Sequence, residues 1–247
     1  MRRSRLNASS KGGMQAVIDT HPMRKFLFVI LVAAMIPGAS AKEYGSYDLK
    51  RLLTVSETPS GKKRGFDVAY LDQMLNDLSA HAKNYPPQFD TPQDRQRATQ
   101  DVKAVSGMLD ILIDVPNPNP ELLARAAYVN SMGHNLDIAG AGEKANSIFL
   151  RLLAVAPSDP RGNYMYGTFL ANVGKPREAL PYLERALAAS VSDAAYTIGM
   201  TYLSLGDKEQ ALKNLEDYKR RKPSDGNVEK LIDAIRNGKV EFKRSPG

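Results

Sequence analysis

No cysteine occurs among the 247 residues. Its absence removes disulfides, thiolate chemistry, cysteine zinc sites and any lipid-anchored amino-terminal cysteine from consideration. Histidine is nearly as scarce, with 3 in the chain, and only His81 and His134 lie beyond residue 41. His81, placed near the end of an expected helix, reads as a mild complement to that helix's carboxyl-terminal dipole. His134 with Asp137 and Glu143 makes three nominal metal ligands without a second histidine, which is thin for a metal centre. No pair of carboxylates stands out as buried. An enzyme is therefore not expected, and no cofactor or metal is implied.

Long apolar runs are missing too, apart from Phe26 to Ile36, which falls short of the roughly 20 residues that a membrane-spanning helix needs. Met23-Arg24-Lys25 precede this run, and Pro37-Gly38 and Ala39-Ser40-Ala41 follow it. A short basic stretch, an apolar core and an Ala-x-Ala end are the parts of a secretory signal peptide over residues 23–41, with cleavage expected before Lys42. Residues 1–22 match neither fold nor signal and read as a mis-assigned start or an unstructured extension. Arg2-Arg3 lies over twenty residues from the apolar core, too far for a twin-arginine signal. The expected location is periplasmic or secreted, with membrane contact only through the signal.

An excess of one charge is absent once that leader is set aside. The formal charge is +7, from 34 basic and 27 acidic residues. Residues 1–41 hold six of the bases and one of the acids, leaving 28 and 26 (34 − 6 and 27 − 1). This balance does not attract a polyanion, so nucleic acid is not an expected partner. The run Lys219-Arg220-Arg221-Lys222 reads as cations complementing the carboxyl end of a helix.

What the chain does have is self-similarity. Gly167, Leu170, Val173, Gly174, Ala179, Leu180, Leu183 and Glu184 recur 32 positions later as Gly199, Tyr202, Leu205, Gly206, Ala211, Leu212, Leu215 and Glu216. A period of this length marks stacked helical units. Each unit reads as two antiparallel helices. Gly167 and Gly199 fall in mid-helix, where glycine costs roughly 1 kcal/mol against alanine, so a closely approaching neighbour must explain them. Gly174 and Gly206 suit a left-handed cap; Pro176 suits a first helical position and Asp207 an N-cap. Ala179 and Leu183, like Ala211 and Leu215, share the face turned to the first helix.

These residues resemble the tetratricopeptide repeat. Gly199, Tyr202, Gly206, Ala211, Leu215 and Pro223 fit one unit, Gly167, Gly174, Ala179, Leu183 and Ala186 the one before, and Ala145, Phe149, Leu152 and Pro157 the second helix of an earlier, degenerate one. Leu170 in place of tyrosine, Val191 in place of proline, Tyr218 in place of alanine and the 32-residue step depart from the pattern. The resemblance implies an all-α, right-handed α-solenoid, with units at about 120–157, 160–191 and 192–225. It also implies a concave groove lined by first helices, placing Arg161, Tyr164, Thr168, Ala171 and Asn172 there from one unit. Asp193, Tyr196, Met200, Leu203 and Ser204 follow from the next, and Ala124, Tyr128 and Ser131 from the degenerate unit. Tyr128, Tyr164 and Tyr196 would form an aromatic ladder; the alternative is that they pack against neighbouring helices. Some members of the family grip acidic peptide tails with a cationic clamp, whose matching positions here are Ala124, Tyr128, Met165, Asp193 and Thr197. None is cationic, which argues against that mode.

The flanks complete the plan. Residues 42–65 read as an extended or flexible arm. Residues 66–115 carry two apolar stripes, Val68, Leu71, Leu75, Leu78 and Ala82, then Ala98, Val102, Val105, Leu109 and Leu112. They predict two helices paired antiparallel as an amino-terminal cap. Residues 226–238 predict a carboxyl-terminal capping helix and 239–247 a tail. Gly133 to Gly142 reads as a loop longer than a repeat turn, and its Gly140-Ala141-Gly142 lacks the strand and the Lys-Ser/Thr of a phosphate cradle. The expected function is non-catalytic protein–protein interaction in the bacterial cell envelope, with a peptide or partner helix in the groove. The second expectation is a small-ligand or metal function centred on the 133–142 loop. Self-association is compatible with either.

Overall fold

The computed structural model describes residues 43–58 and 61–240; the expected signal peptide, the segment before it and the end of the expected tail lie outside them. Among the described residues nine α-helices follow a short 3-10 turn (Leu49–Leu52) and two strands. The strands are β1 (Leu53–Thr58) and β2 (Gly61–Phe66). The helices are α1 (Val68–Ala82), α2 (Pro92–Ile113), α3 (Pro120–Asn135), α4 (Ala141–Val155), α5 (Pro160–Asn172), α6 (Pro176–Ala188), α7 (Asp193–Ser204), α8 (Lys208–Arg221) and α9 (Gly226–Arg236).

Local chemistry sets most helix starts. Asp67, Thr91, Asn119, Asp159, Asp207 and Asp225 each accept a hydrogen bond from an amide of the first turn, and Pro92, Pro120, Pro160 and Pro176 open their helices, where a missing amide costs nothing. Gly174 and Gly206 turn the chain between helices at φ of 82° and 84°. Within the hairpins the helices touch almost backbone to backbone. A Cβ added to Gly167 would lie 2.7 Å from Leu183 Cγ, and one added to Gly199 would lie 2.8 Å from Leu215 Cγ. Ala179, Leu183, Ala211 and Leu215 are fully buried beside them.

The hairpins α3–α4, α5–α6 and α7–α8 stack in order as a right-handed α-solenoid. First helices contact first helices (α1 on α3, α3 on α5, α5 on α7), and each second helix packs on the first helix that follows it (α2 on α3, α4 on α5, α6 on α7). The apolar interior runs continuously from Tyr44 to Ile198. A second cluster closes the far end, where Val228, Ile232 and Ile235 of α9 pack with Leu203, Ala211 and Leu215.

The arm is of the extended kind: its described residues hold the 3-10 turn and an antiparallel ribbon, and the other described elements are helices. One expectation about the amino-terminal part needs correction: α1 and α2 do not pair as a hairpin. The arm lies between them as a wedge, with Tyr44 and Leu52 fully buried. Tyr44 donates from its hydroxyl to Asp101 of α2 at 3.0 Å, while Gly45 N and the Tyr47 hydroxyl both donate to Asp77 of α1, at 2.8 and 2.7 Å. Arg97 of α2 completes the seat by donating to the Tyr44 carbonyl at 2.8 Å. Burial is the main cause that pushes the Tyr44 phenol up and, separately, the Asp101 carboxyl. His81 lies in the last turn of α1, as expected; its ring is buried, Nδ1 meets the Gln88 carbonyl at 3.0 Å, and it stacks on Phe89 at 5.0 Å.

The two kinds of mid-helix glycine predict opposite outcomes. Gly107 in α2 has nothing within 4 Å of an added Cβ, so Gly107→Ala should raise unfolding stability by roughly 0.5–1 kcal/mol. Gly167→Ala should lower it by about 1–3 kcal/mol, because Leu183 has no room to yield. Thermal or denaturant unfolding of both variants checks the sign, and stabilisation by Gly167→Ala would contradict the close approach.

Candidate partner-binding groove

The helices α1, α3, α5 and α7 form one layer, and their free side is where the groove is expected. Three of them are tied by a chain of ion pairs. Arg125 of α3 donates to both carboxylate oxygens of Asp72 on α1, each at 2.7 Å, and to Glu121 at 3.0 Å; Arg161 of α5 reaches the same Glu121 at 3.4 Å. The two-pronged hydrogen bond from Arg125 holds the Asp72 carboxyl below its usual range, and Asp72 in turn raises the guanidinium. Fork-shaped pairs of this kind fix orientation as well as charge.

Tyr128 is half-buried above this chain. Burial raises its phenol, a side-chain hydrogen bond with Ser79 of α1 works the other way, and Tyr164 and Arg161 are near enough to act on it. Tyr164 is half-buried and Arg161 exposed. One turn beyond Tyr164, Thr168 Oγ1 is shielded from solvent and makes no hydrogen bond among the described residues. Asn172 and Met200 are half-buried.

Tyr196 behaves differently. Its ring meets Tyr218 of α8 edge-on at 5.3 Å, and the Tyr218 hydroxyl donates to Asp225 at 3.1 Å. Burial first, then Asp225, raises the Tyr196 phenol; the Tyr218 phenol is pushed up to about 12 by desolvation and its bond to Asp225. Among the three tyrosines, Tyr128 and Tyr164 lie near enough to act on each other electrostatically, whereas Tyr196 is engaged within its own hairpin.

Helix-end hydrogen bonds show why the ladder is uneven. Lys175 N bonds to Leu170 O and Asp207 N to Tyr202 O, and the matching bond in the first unit is Ile138 N to Gly133 O. On that register Ala124 corresponds to Arg161 and Ser131 to Thr168, but Tyr128 corresponds to Met165 rather than to Tyr164. The interval from Ile138 to Ala145 is three residues longer than that from Lys175 to Ala179.

Gly133 to Gly142 is therefore not a ten-residue loop. Gly133, His134 and Asn135 end α3, the turn spans 136–140, and Ala141 begins α4. His134 is only 8% exposed and lies edge-on to Phe169 at 6.4 Å. A Cβ on Gly142 would stand 2.7 Å from its Nδ1, so that glycine lets α4 close over the imidazole. Asp137 faces away to an ion pair with Arg95 at 2.7 Å. Among the described residues no three such side chains gather to hold a metal ion, and His134 is enclosed within the hairpin rather than presented to a ligand.

Two open clefts lie between α2 and α4, and the second is lined as well by Ile138, Ala139 and Gly140 of this turn. Their volumes are about 430 and 350 Å³, and they meet at Asp110 and Lys144. Lys144 is tied there to Asp110 and Ser106. Sequence reasoning missed Asp72, Ser79 and Arg125 as groove residues. The available signal was the seven-residue spacing of Asp72 and Ser79, which puts both on one face of α1.

Two outcomes follow. Tyr196→Ala should lower stability by about 1–2 kcal/mol through loss of the Tyr218 contact, with Tyr164→Ala nearer neutral in the same unfolding assay; equal losses would contradict the assignment. Asp72→Asn should cost about 1 kcal/mol at neutral pH. Because the folded carboxyl is held low, its contribution is present above the ordinary aspartate pKa of about 3.9 and lost as pH falls through the folded value. The variant's deficit should therefore shrink in acid, and a deficit independent of pH would contradict the pairing.

Comparison with known proteins agrees with this geometry. Residues 192–225 match the tetratricopeptide repeat family model. Human aspartyl/asparaginyl beta-hydroxylase is 30% identical over 90 residues, 36% of this chain and 12% of its own length, and the mouse enzyme matches to the same extent. The chain thus spans about an eighth of the curated relatives it matches. The crystal structure of MamA superposes with a TM-score of 0.50 at 20% identity, over 62% of this chain and 86% of that one. A second MamA structure gives 0.50 at 21%, over 59% and 78%. At such identities the likeness is one of fold.

Proposed function

With a tetratricopeptide-type solenoid as the premise, we propose that this protein is a non-catalytic interaction scaffold of the bacterial cell envelope, taking an extended peptide or a partner helix on its first-helix layer. The observation that carries this reading is the patch of α3 and α5 where Tyr128, Tyr164 and Thr168 sit half-buried, with Thr168 Oγ1 unbonded among the described residues. Tyrosine offers large contact area with few rotors and a hydrogen-bonding tip, and a shielded hydroxyl gains most from a partner that supplies its missing bond. The Asp72–Arg125–Glu121–Arg161 chain holds the surrounding backbone in place, so ligand binding orders little.

The envelope location follows from the basic stretch, apolar run and Ala-Ser-Ala end of residues 23–41. Amino-terminal sequencing of the protein recovered from a periplasmic extract should begin at Lys42; a full-length cytoplasmic product would overturn the location. For the groove, affinity purification from envelope extracts should lose its specific partner at least tenfold with Tyr164→Ala/Thr168→Ala, whereas Ser147→Ala on the outer face of α4 keeps it. Equal recovery with both variants would reject the groove.

A further inference from the structure

The ribbon of β1 and β2 belongs to neither helical layer. Its main tie to the body is the 3-10 turn that precedes it, and Leu53 and Val55 are 60% and 63% exposed. Two strands alone are marginal in water; a third strand or a covering helix makes a ribbon self-supporting. The register runs from Leu53↔Phe66 to Thr58↔Gly61, and Asp67 N donates to Leu52 O at 2.9 Å. Bonded and non-bonded pairs alternate along an antiparallel ladder. Counting in twos from Leu52 and Asp67 makes Thr54/Gly65 and Ser56/Lys63 the bonded pairs. The peptide groups of Lys62, Arg64 and Phe66 then face outward along the free edge of β2.

That edge is strongly basic. β2 reads Gly61-Lys62-Lys63-Arg64-Gly65-Phe66, Lys50 and Arg51 precede the ribbon, and Glu57 is the only acid within the two strands. We propose that the free edge of β2 docks an extended, acidic segment of a partner protein as a third strand. Main-chain hydrogen bonds to the outward groups of Lys62, Arg64 and Phe66 give the register, and carboxylates opposite the cations give the choice of partner. The same charge opposes edge-to-edge pairing of two copies, since two such cationic stretches repel each other. This surface is separate from the groove and uses backbone where the groove uses side chains.

The test uses the chain from Lys42 onward and a labelled synthetic peptide of alternating glutamate and valine, read by fluorescence anisotropy. Its lysine–valine counterpart, its copy N-methylated at alternate residues, and vesicles rich in phosphatidylglycerol serve as the other probes. The acidic peptide should bind with an affinity that falls with salt, and the lysine peptide should not bind. N-methylation, which blocks the peptide's edge amides and leaves the protein untouched, should weaken binding at least roughly tenfold. Arg64→Pro, which removes only an outward amide, should do the same, and Lys62→Glu/Lys63→Glu should abolish binding of the acidic peptide. Equal binding of the methylated peptide would overturn strand addition and leave unspecific charge attraction. No binding of the acidic peptide, or capture of the vesicles in its place, would overturn the proposal and, in the second case, reassign the ribbon to an anionic membrane surface. None of these outcomes depends on the groove, because Tyr164→Ala/Thr168→Ala should bind the acidic peptide as the parent does.

Discussion

Close approach of the two helices within each hairpin is the constraint on which the rest depends. Gly167 leaves room for Leu183 and Gly199 for Leu215; Ala179 and Ala211 sit beside them without exposure. Because these contacts leave little slack, each hairpin behaves as a rigid brick, and successive bricks can meet only through the faces left over. First helices then fall into one layer and second helices into the other. Everything proposed for the groove, from the Asp72–Arg125–Glu121–Arg161 chain to the Tyr128–Tyr164 patch, presupposes that layering.

Local rules wrote this part of the fold openly into the chain. The 32-residue recurrence, the left-handed glycines at 174 and 206 and the helix-opening Pro176 and Asp207 are short-range signals, each tied to a backbone conformation or a cap. What stayed hidden depends on contacts between distant residues. Tyr44 and Leu52 look like members of an arm until Asp77, Arg97 and Asp101 are seen around the arm. The same wedge, together with α3 packed on both helices, stands where two amphipathic helices joined by a short loop would otherwise pair directly. Gly133 to Gly142 misled for another reason, since two glycines at its end suggest a loop. One of them, Gly142, instead gives the His134 ring room inside a hairpin.

The candidate groove was legible in outline and uneven in detail. Arg161, Tyr164 and Thr168 lie on the first-helix layer with exposed or half-buried side chains. Tyr196, at the repeat position of Tyr164, instead packs on Tyr218. A repeat position specifies the direction in which a residue leaves its helix, and the neighbouring helix decides whether it is covered. The departure of Tyr218 from the usual small residue supplies that cover. The proposed groove and ribbon fit one picture: a solenoid body with a side-chain surface on one layer and a basic backbone edge in its amino-terminal part.

The central claim is that partners meet the first-helix layer rather than the second. A photoactivatable amino acid placed at Thr168 on α5, and separately at Ser147 on α4 and Lys213 on α8, would test this in intact cells. The account predicts a discrete crosslinked partner from position 168 and none from 147 or 213. Partner crosslinks from the second-helix positions, with position 168 silent, would contradict it.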